Sequence, residues 1–206
     1  PGTASIAQLL GGDTGQAIHD WCSKEAKQIV TWTQAATRTC TTVLCRSSNR
    51  MTELIEPTGS LTDEEVQAFR QQVLVACDEA DTIALCGTFP AELGESFYAD
   101  AARQNPKATV LLDGYRGVAD VLKGGHVDIL KINEDELRQL SGESSIPAAA
   151  VQCLRAWNLS WLGITAGPER ATLFGRNGAW SFDIPALAEV ANPIGAGDTV
   201  SAVFAL

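Results

Sequence analysis

Short apolar runs alternate with segments of helical spacing along most of the chain. Residues 82–86 (TIALC), 109–113 (TVLLD), 127–132 (VDILKI) and 160–165 (SWLGIT) are apolar at consecutive positions, not at every second one. Such runs predict strands buried on both faces, as in a parallel sheet covered by helices on each side. The intervening segments predict helices near residues 91–103, 116–123 and 147–157, with another opening after Asn133. Gly87-Thr88-Phe89-Pro90 reads as the turn into the first of these. Farther on, Asn177-Gly178 between two strand-like runs predicts a tight hairpin.

The first part of the chain has a different texture. Residues 29–35, 38–45 and 51–56 are rich in Val, Ile, Thr and Trp and partly alternate, so they predict strands, with the polar RSSNR connecting the last two as a hairpin. Thr62 followed by Glu65 is a capping-box signature for a helix running to about Cys77. The predicted fold is one α/β domain over residues 1–206, a three-layer arrangement with a mostly parallel central sheet. The strands near 29–56 form an edge or a small β flap.

Composition narrows the partners. The 206 residues carry a formal net charge of -10, which argues against nucleic acid or an anionic membrane, since both reward basic surfaces. A phosphorylated ligand stays compatible, because helix N-termini and a few local cations can hold one. No run approaches the ~20 apolar residues of a membrane span, and no signal-peptide pattern opens the chain. The six cysteines show no CxxC pair. Cys40, Cys45, Cys77 and Cys86 stand in apolar surroundings as small buried hydrophobes do, which predicts reduced structural thiols and a cytoplasmic setting.

The chemistry concentrates in ANPIGAGDTVSAVFAL, residues 191–206. Asn192-Pro193 blocks helix before this stretch. Gly195-Ala196-Gly197 lets the backbone turn tightly. From Asp198 onward, Val200, Val203, Phe204 and Leu206 give a helical apolar face. The open N–H groups of that first turn, with the helix dipole behind them, suit oxygens that gain charge during a reaction. Asp198 beside them is either a helix cap or a proton acceptor. The segment closely resembles the C-terminal signature N-P-x-G-A-G-D of the PfkB (ribokinase-like) family of carbohydrate kinases. That resemblance implies that Asp198 is the general base and that Gly195, Ala196 and Gly197 form the anion hole for the transferred phosphoryl group. It also puts Asn192 on the nucleotide side.

Other segments resemble the same family. KINEDEL, residues 131–137, opens a helix at the C-terminal end of a predicted strand, where α/β proteins bind ligands. Read from the residues, Asn133 and Glu136 are either a plain N-cap with an acidic first turn or a seat for a hydrated Mg²⁺. The family's K-x-N-x-x-E motif implies the second, with Lys131, Asn133 and Glu136 placing Mg²⁺ and phosphate. In GITAGPERATLF, Thr165 and Gly167 match the family's T-x-G-x-x-G-A nucleotide segment, while Arg170 stands in the place of its later glycine. An ordinary strand-to-hairpin turn accounts for these residues equally well. TRTCTTV around Arg38 and TELIEPTG at residues 52–59 resemble the branch that handles phosphorylated hexoses. Arg38 is therefore the candidate for an existing substrate phosphate, with a solvated surface charge as its plainer role. CGTFP at residues 86–90 stands where the family has S-G-S-L-P; Gly87 and Thr88 keep the turn and hydroxyl near the sugar phosphate, while Cys86 and Phe89 depart.

The glycines of LLGGDTG, residues 9–15, read as structural, with Asp13 a turn or helix cap. His19 and His126 lie far from these motifs, and the tryptophans read as packing residues. A Rossmann fingerprint would need a third glycine where Val200 stands, and no Walker motif is present. Full family members are longer at both ends, so the chain reads as shortened, and 206 residues alone are expected to have weak or absent activity. The resemblance implies an ATP- and Mg²⁺-dependent kinase for a phosphorylated ketohexose, with fructose 1-phosphate preferred over fructose 6-phosphate, tagatose 6-phosphate or a free sugar. A non-catalytic nucleotide or sugar-phosphate binding module is the alternative from another class. Pairing of the flap strands between two copies would make a homodimer.

Overall fold

A computed structural model describes residues 4–45, 47–48, 50–124, 126–168, 170–185 and 194–205. The chain divides into two compact units, Pro1–Ala76 with Pro90–Gly94, and Cys77–Phe89 with Glu95–Leu206.

In the first unit, β1 (Ser5–Leu10), α1 (Gly12–Cys22) and β2 (Lys27–Trp32) form a β-α-β element with the two strands parallel. Gly11 sits at its pivot because nothing larger fits: a Cβ there would lie 2.0 Å from the Ala35 carbonyl oxygen. The Gly11 N–H donates to Thr37 Oγ1 at 2.9 Å and its carbonyl accepts from the Thr37 N–H at 2.8 Å. The glycine-rich turn is thus structural, as its sequence suggested. β3 (Cys40–Cys45) and β4 (Arg50–Ile55) form a separate antiparallel hairpin. This is the predicted flap, without β2. α2 (Asp63–Asp78) starts at the predicted box: the Glu65 N–H donates to Thr62 Oγ1 at 3.3 Å and the Thr62 N–H to Glu65 Oε2 at 2.8 Å.

The second unit is built on six strands: β5 (Thr82–Cys86), β6 (Thr109–Asp113), β7 (Ile129–Asn133), β8 (Trp161–Ala166), β9 (Arg170–Gly175) and β10 (Gly178–Asp183). They lie in the order β10-β9-β8-β7-β6-β5. β5 through β8 are parallel to their neighbours, while β8-β9 and β9-β10 are antiparallel. Consecutive residues in the middle strands, such as Leu111 and Leu112 or Lys131 and Ile132, are buried together, so the sheet is covered on both faces there. Edge strand β5 is different: Ile83 and Leu85 are buried while Ala84 and Cys86 are exposed. The helices are α3 (Phe97–Gln104), α4 (Ala119–Lys123), α5 (Glu134–Ser141), α6 (Ile146–Ala156) and α7 (Ala196–Phe204).

Two helices are shorter than their sequence pattern. The segment near 91–103 splits into a 3₁₀ turn, Ala91–Leu93, and α3, separated by Gly94 at φ +79°. The segment near 116–123 becomes helical only at Ala119, after Gly117 at φ +65°. In both places a left-handed glycine stops helix propagation. The cysteines also depart from expectation. All six are free, but of the four read as buried only Cys77 is; Cys40, Cys45 and Cys86 are exposed. Cys40 and Cys45 end up on a two-stranded hairpin too thin to cover them, and Cys86 lies on the open face of β5. None of the described helices is long and apolar enough to cross a membrane.

Candidate active site

Strand register brings the central groups together. Cys86 pairs with Asp113, Asp113 with Lys131, and Lys131 with Gly163, so these four form one row across β5 to β8 and face the same side of the sheet. α7 lies on that side. A Cβ on Gly163 would sit 2.6 Å from the Phe204 ring, and one on Gly197 would sit 2.9 Å from Lys131 Nζ. The glycines at 163 and 197 therefore let the helix settle directly onto the row.

Lys131 is only 8% exposed. A buried ammonium requires a partner, and Lys131 Nζ donates to both oxygens of Asp113, at 3.2 and 3.1 Å. The Ser201 hydroxyl donates a short hydrogen bond to Asp113 Oδ2. Neither Asp113 nor Ser201 stood out in the sequence. The available signal for Asp113 was its place as the last residue of a buried parallel strand, where ligands gather in α/β proteins. For Ser201 there was none, because it interrupts an apolar pattern. The apolar face read for α7 is accordingly corrected: Val203 is 63% exposed while Ser201 is 3% exposed. The buried side runs through Gly197, Ser201 and Phe204, spaced at i, i+4 and i+7. Leu206 lies outside the described residues.

At the start of α7, Gly195 is the N-cap, with φ +83° in the left-handed region, and among the described residues no side chain caps the leading N–H groups. The Thr199 N–H and Oγ1 both donate to the Gly195 carbonyl at 3.0 Å, closing the turn. Asp198 is exposed and has no hydrogen bond or ion pair among the described residues. It thus does not cap its own helix by hydrogen bonding. Its charge is felt at Cys86: burial first, then Asp113 and Asp198, push that thiol up to about 11, against the opposing pull of Lys131. The row, the glycine turn and the Asp198 carboxylate therefore form one electrostatic neighbourhood.

Gly87 follows Cys86 with φ +74° and donates its N–H to the Asp113 carbonyl at 3.2 Å. Tyr98 buttresses the same turn by donating to the Cys86 and Gly87 carbonyls at 2.8 and 3.2 Å. Burial, followed by the Cys86 and Asp113 charges, pushes its phenol up to about 12. Thr88 is exposed beside it. Phe89, a departure from the family pattern, packs its ring 4.5 Å from Tyr98 and 5.4 Å from Phe97.

Asn133 and Glu136 begin α5 with a complete capping box. Asn133 Oδ1 accepts from the Glu136 N–H and Glu136 Oε2 from the Asn133 N–H, each at 2.9 Å. Both side chains are thus already engaged, and a directly bound ion held by the two together does not fit. One Glu136 oxygen has no hydrogen bond among the described residues, which fits an ion that keeps its water shell. Thr165 pairs in register with Asn133 at the same end of the sheet. Gly167, at φ +60°, follows in the turn to β9. Arg170 is the first residue of β9, with an exposed ion pair to Asp183 at 3.9 Å. Asn192 lies outside the described residues.

Arg38 belongs to the first unit. There its Nη1 donates to Thr58 Oγ1 at 2.9 Å, and the neighbouring Thr39 N–H donates to Glu56 Oε2 at 2.7 Å. The two segments that resemble the hexose-phosphate branch therefore meet side by side. Arg38 is exposed and faces no carboxylate among its bonds, so its guanidinium is available to an anion. A separate cleft of about 340 Å³, lined by Ser160, Trp161, Arg176, Asn177 and Trp180, lies at the other end of β8 from Thr165. Among the described residues its lining has no carboxylate.

The architecture and the turn together define the class, a ribokinase-like α/β fold. The phosphofructokinase-2 structure from Escherichia coli in complex with fructose-6-phosphate matches with a TM-score of 0.80 at 18% identity, over 99% of this chain and 70% of that one. The tetrameric inhibited form of the same enzyme also gives 0.80, at 19% identity over 98% and 69%. The chain belongs to the pfkB family of carbohydrate kinases, whose model matches residues 2–206. A tagatose-6-phosphate kinase of Staphylococcus epidermidis is 27% identical over 207 residues, covering 96% of this chain. The chain spans 66% of that relative's length.

Proposed function

We propose that this chain belongs to an ATP-dependent kinase that phosphorylates a hydroxyl of a ketohexose phosphate. The observation that carries this reading is the unpaired Asp198 carboxylate at the uncapped start of α7, with the Lys131 ammonium held against Gly197. Asp198 accepts the proton of the attacking hydroxyl. The N–H groups of the Gly195–Ala196–Gly197 turn and the Lys131 ammonium face the oxygens that carry charge during transfer, so positioning and electrostatics do most of the work. ATP supplies the phosphoryl group when bound, and Thr165 and Gly167 line the way to its phosphates. Glu136, through its remaining oxygen, would hold a hydrated Mg²⁺, whose contribution when bound is to neutralise phosphate charge. Gly87 and Thr88 lie on the acceptor side, and the sequence resemblance makes Arg38, in the first unit, the candidate for the phosphate already present on the sugar.

The relatives named for tagatose 6-phosphate and fructose 6-phosphate support a phosphorylated acceptor. Fructose 1-phosphate stays as the preference drawn from the sequence. A panel of these three and the free sugars, assayed on the full-length protein with ATP and Mg²⁺, ranks them by kcat/KM. Arg38→Ala should raise KM for the phosphorylated acceptor by about 10- to 100-fold, the worth of one hydrogen bond to a charged group, and leave a free sugar unaffected. Equal losses on both would remove Arg38 from the acceptor site. Nucleotide binding without turnover on any acceptor would make the protein a binding module.

A further inference from the structure

Ser201 is the one hydroxyl on the buried side of α7, where an apolar residue would pack and alanine would be the better helix former. A buried hydroxyl is costly unless it is bonded. This one has two acceptors in reach, Asp113 Oδ2 and, at 3.3 Å, the Gly197 carbonyl one turn earlier. It has a single proton, and the charged, closer Asp113 takes it. Asp113 in turn holds Lys131 Nζ with both oxygens. The ammonium so held lies against Gly197, next in sequence to Asp198. Released from Asp113, it would no longer be fixed beneath the glycine turn, where the proposed reaction needs its charge.

We infer that Ser201 is a positioning residue for the transfer reaction proposed above: its hydrogen bond fixes Asp113 so that Asp113 keeps the Lys131 ammonium under the glycine turn. The inference rests on the kinase reading for its catalytic consequence, while the ammonium's placement can be measured without turnover. The residue acts through Asp113 and Lys131 and does not itself reach the substrate.

The test uses the full-length protein with Ser201→Ala and Ser201→Thr. In Ser201→Ala, kcat should fall by about 10-fold, less than the roughly 100-fold of a 1 Å misplacement. Both KM values should stay within about twofold, the signature of an interaction made in the transition state. Ser201→Thr, which keeps the hydroxyl, should restore kcat. In parallel, the ¹H–¹⁵N signal of the Lys131 ammonium should be sharp in the parent and the threonine variant and broadened by water exchange in the alanine variant. Circular dichroism establishes that each variant is folded. An alanine variant with parental kcat and an unchanged ammonium signal overturns the inference, as does a folded threonine variant that restores neither readout. If the parent phosphorylates no acceptor, the kinase reading fails, and the ammonium signal alone decides whether Ser201 positions Lys131.

Discussion

Two helices of the second unit begin at the same end of the sheet and solve their first turn in opposite ways. α5 closes itself: Asn133 and Glu136 exchange hydrogen bonds with each other's backbone, and Asp135 and Glu134 pair with Arg138. α7 stays open: its cap is a left-handed glycine and, among the described residues, no side chain covers its leading N–H groups and its acidic residue has no partner. Behind α7 the sheet supplies a buried ammonium in place of an acid, through Lys131. Both starts have a favourable dipole for anions. The first leaves one Glu136 oxygen unspent, the second leaves backbone donors and a whole carboxylate, so a site is marked less by a helix N-terminus than by what has been left unsatisfied there.

Several substitutions would break or sharpen that contrast. The largest effect belongs to Asp198→Asn, which should lower kcat by about 10²- to 10⁴-fold, the range for loss of a general base. Nucleotide affinity measured by calorimetry should barely move. A parental rate in this variant would reduce the open turn to a structural feature. Next comes Asp113→Ala, which strands the Lys131 ammonium in a mostly buried place. Breaking such a pair from one side costs about 3–5 kcal/mol, so the urea midpoint should drop sharply. A midpoint within error of the parent would mean that the ammonium finds solvent or another acid. Asn133→Ala acts on the closed helix and should cost about 1 kcal/mol, as loss of an N-cap does. A fall in kcat well beyond that loss of stability would show that the box also sets the position of Glu136 for the proposed Mg²⁺.

The smallest effect reports on distance. Burial first, then negative charge at Asp113 and Asp198, pushes the Cys86 thiol up to about 11. Removing the Asp198 charge lowers that value, so more thiolate exists at any given pH below it. Alkylation of Cys86 in Asp198→Asn should therefore speed up a few-fold, read by mass spectrometry at pH 8–9. Cys45 provides the internal standard. Hydrogen bonds from Ser47 and Ser48 lower its thiol to about 7, so it should label first in both proteins and slow as pH falls through 7. Unchanged Cys86 labelling would place Asp198 too far away to act on the row.

Much was legible before any coordinates. Continuous apolar runs identified β6 to β8 because strands covered on both faces have no polar side to show, and β5 read the same way only because its exposed positions carry Ala84 and Cys86. Thr62 with Glu65, and Asn133 with Glu136, marked helix starts because caps are local, three residues apart. Gly195 through Asp198 announced an open turn for the same reason. The choice between cap and ligand at Asn133 could not be made from spacing, since both uses need the same two residues.

What the chain by itself determined is therefore whatever depends on neighbours in sequence: the strands, the capping boxes, the glycine turns and the family signature. Only the tertiary structure decided which side of α7 is buried, which cysteines meet solvent, and that Asp113, Lys131 and Ser201 form one network. The bond between Ser201 and Asp113 spans 88 positions. No local pattern encodes such a pair, because strand register and the approach of a helix to a sheet are set by packing across the whole unit.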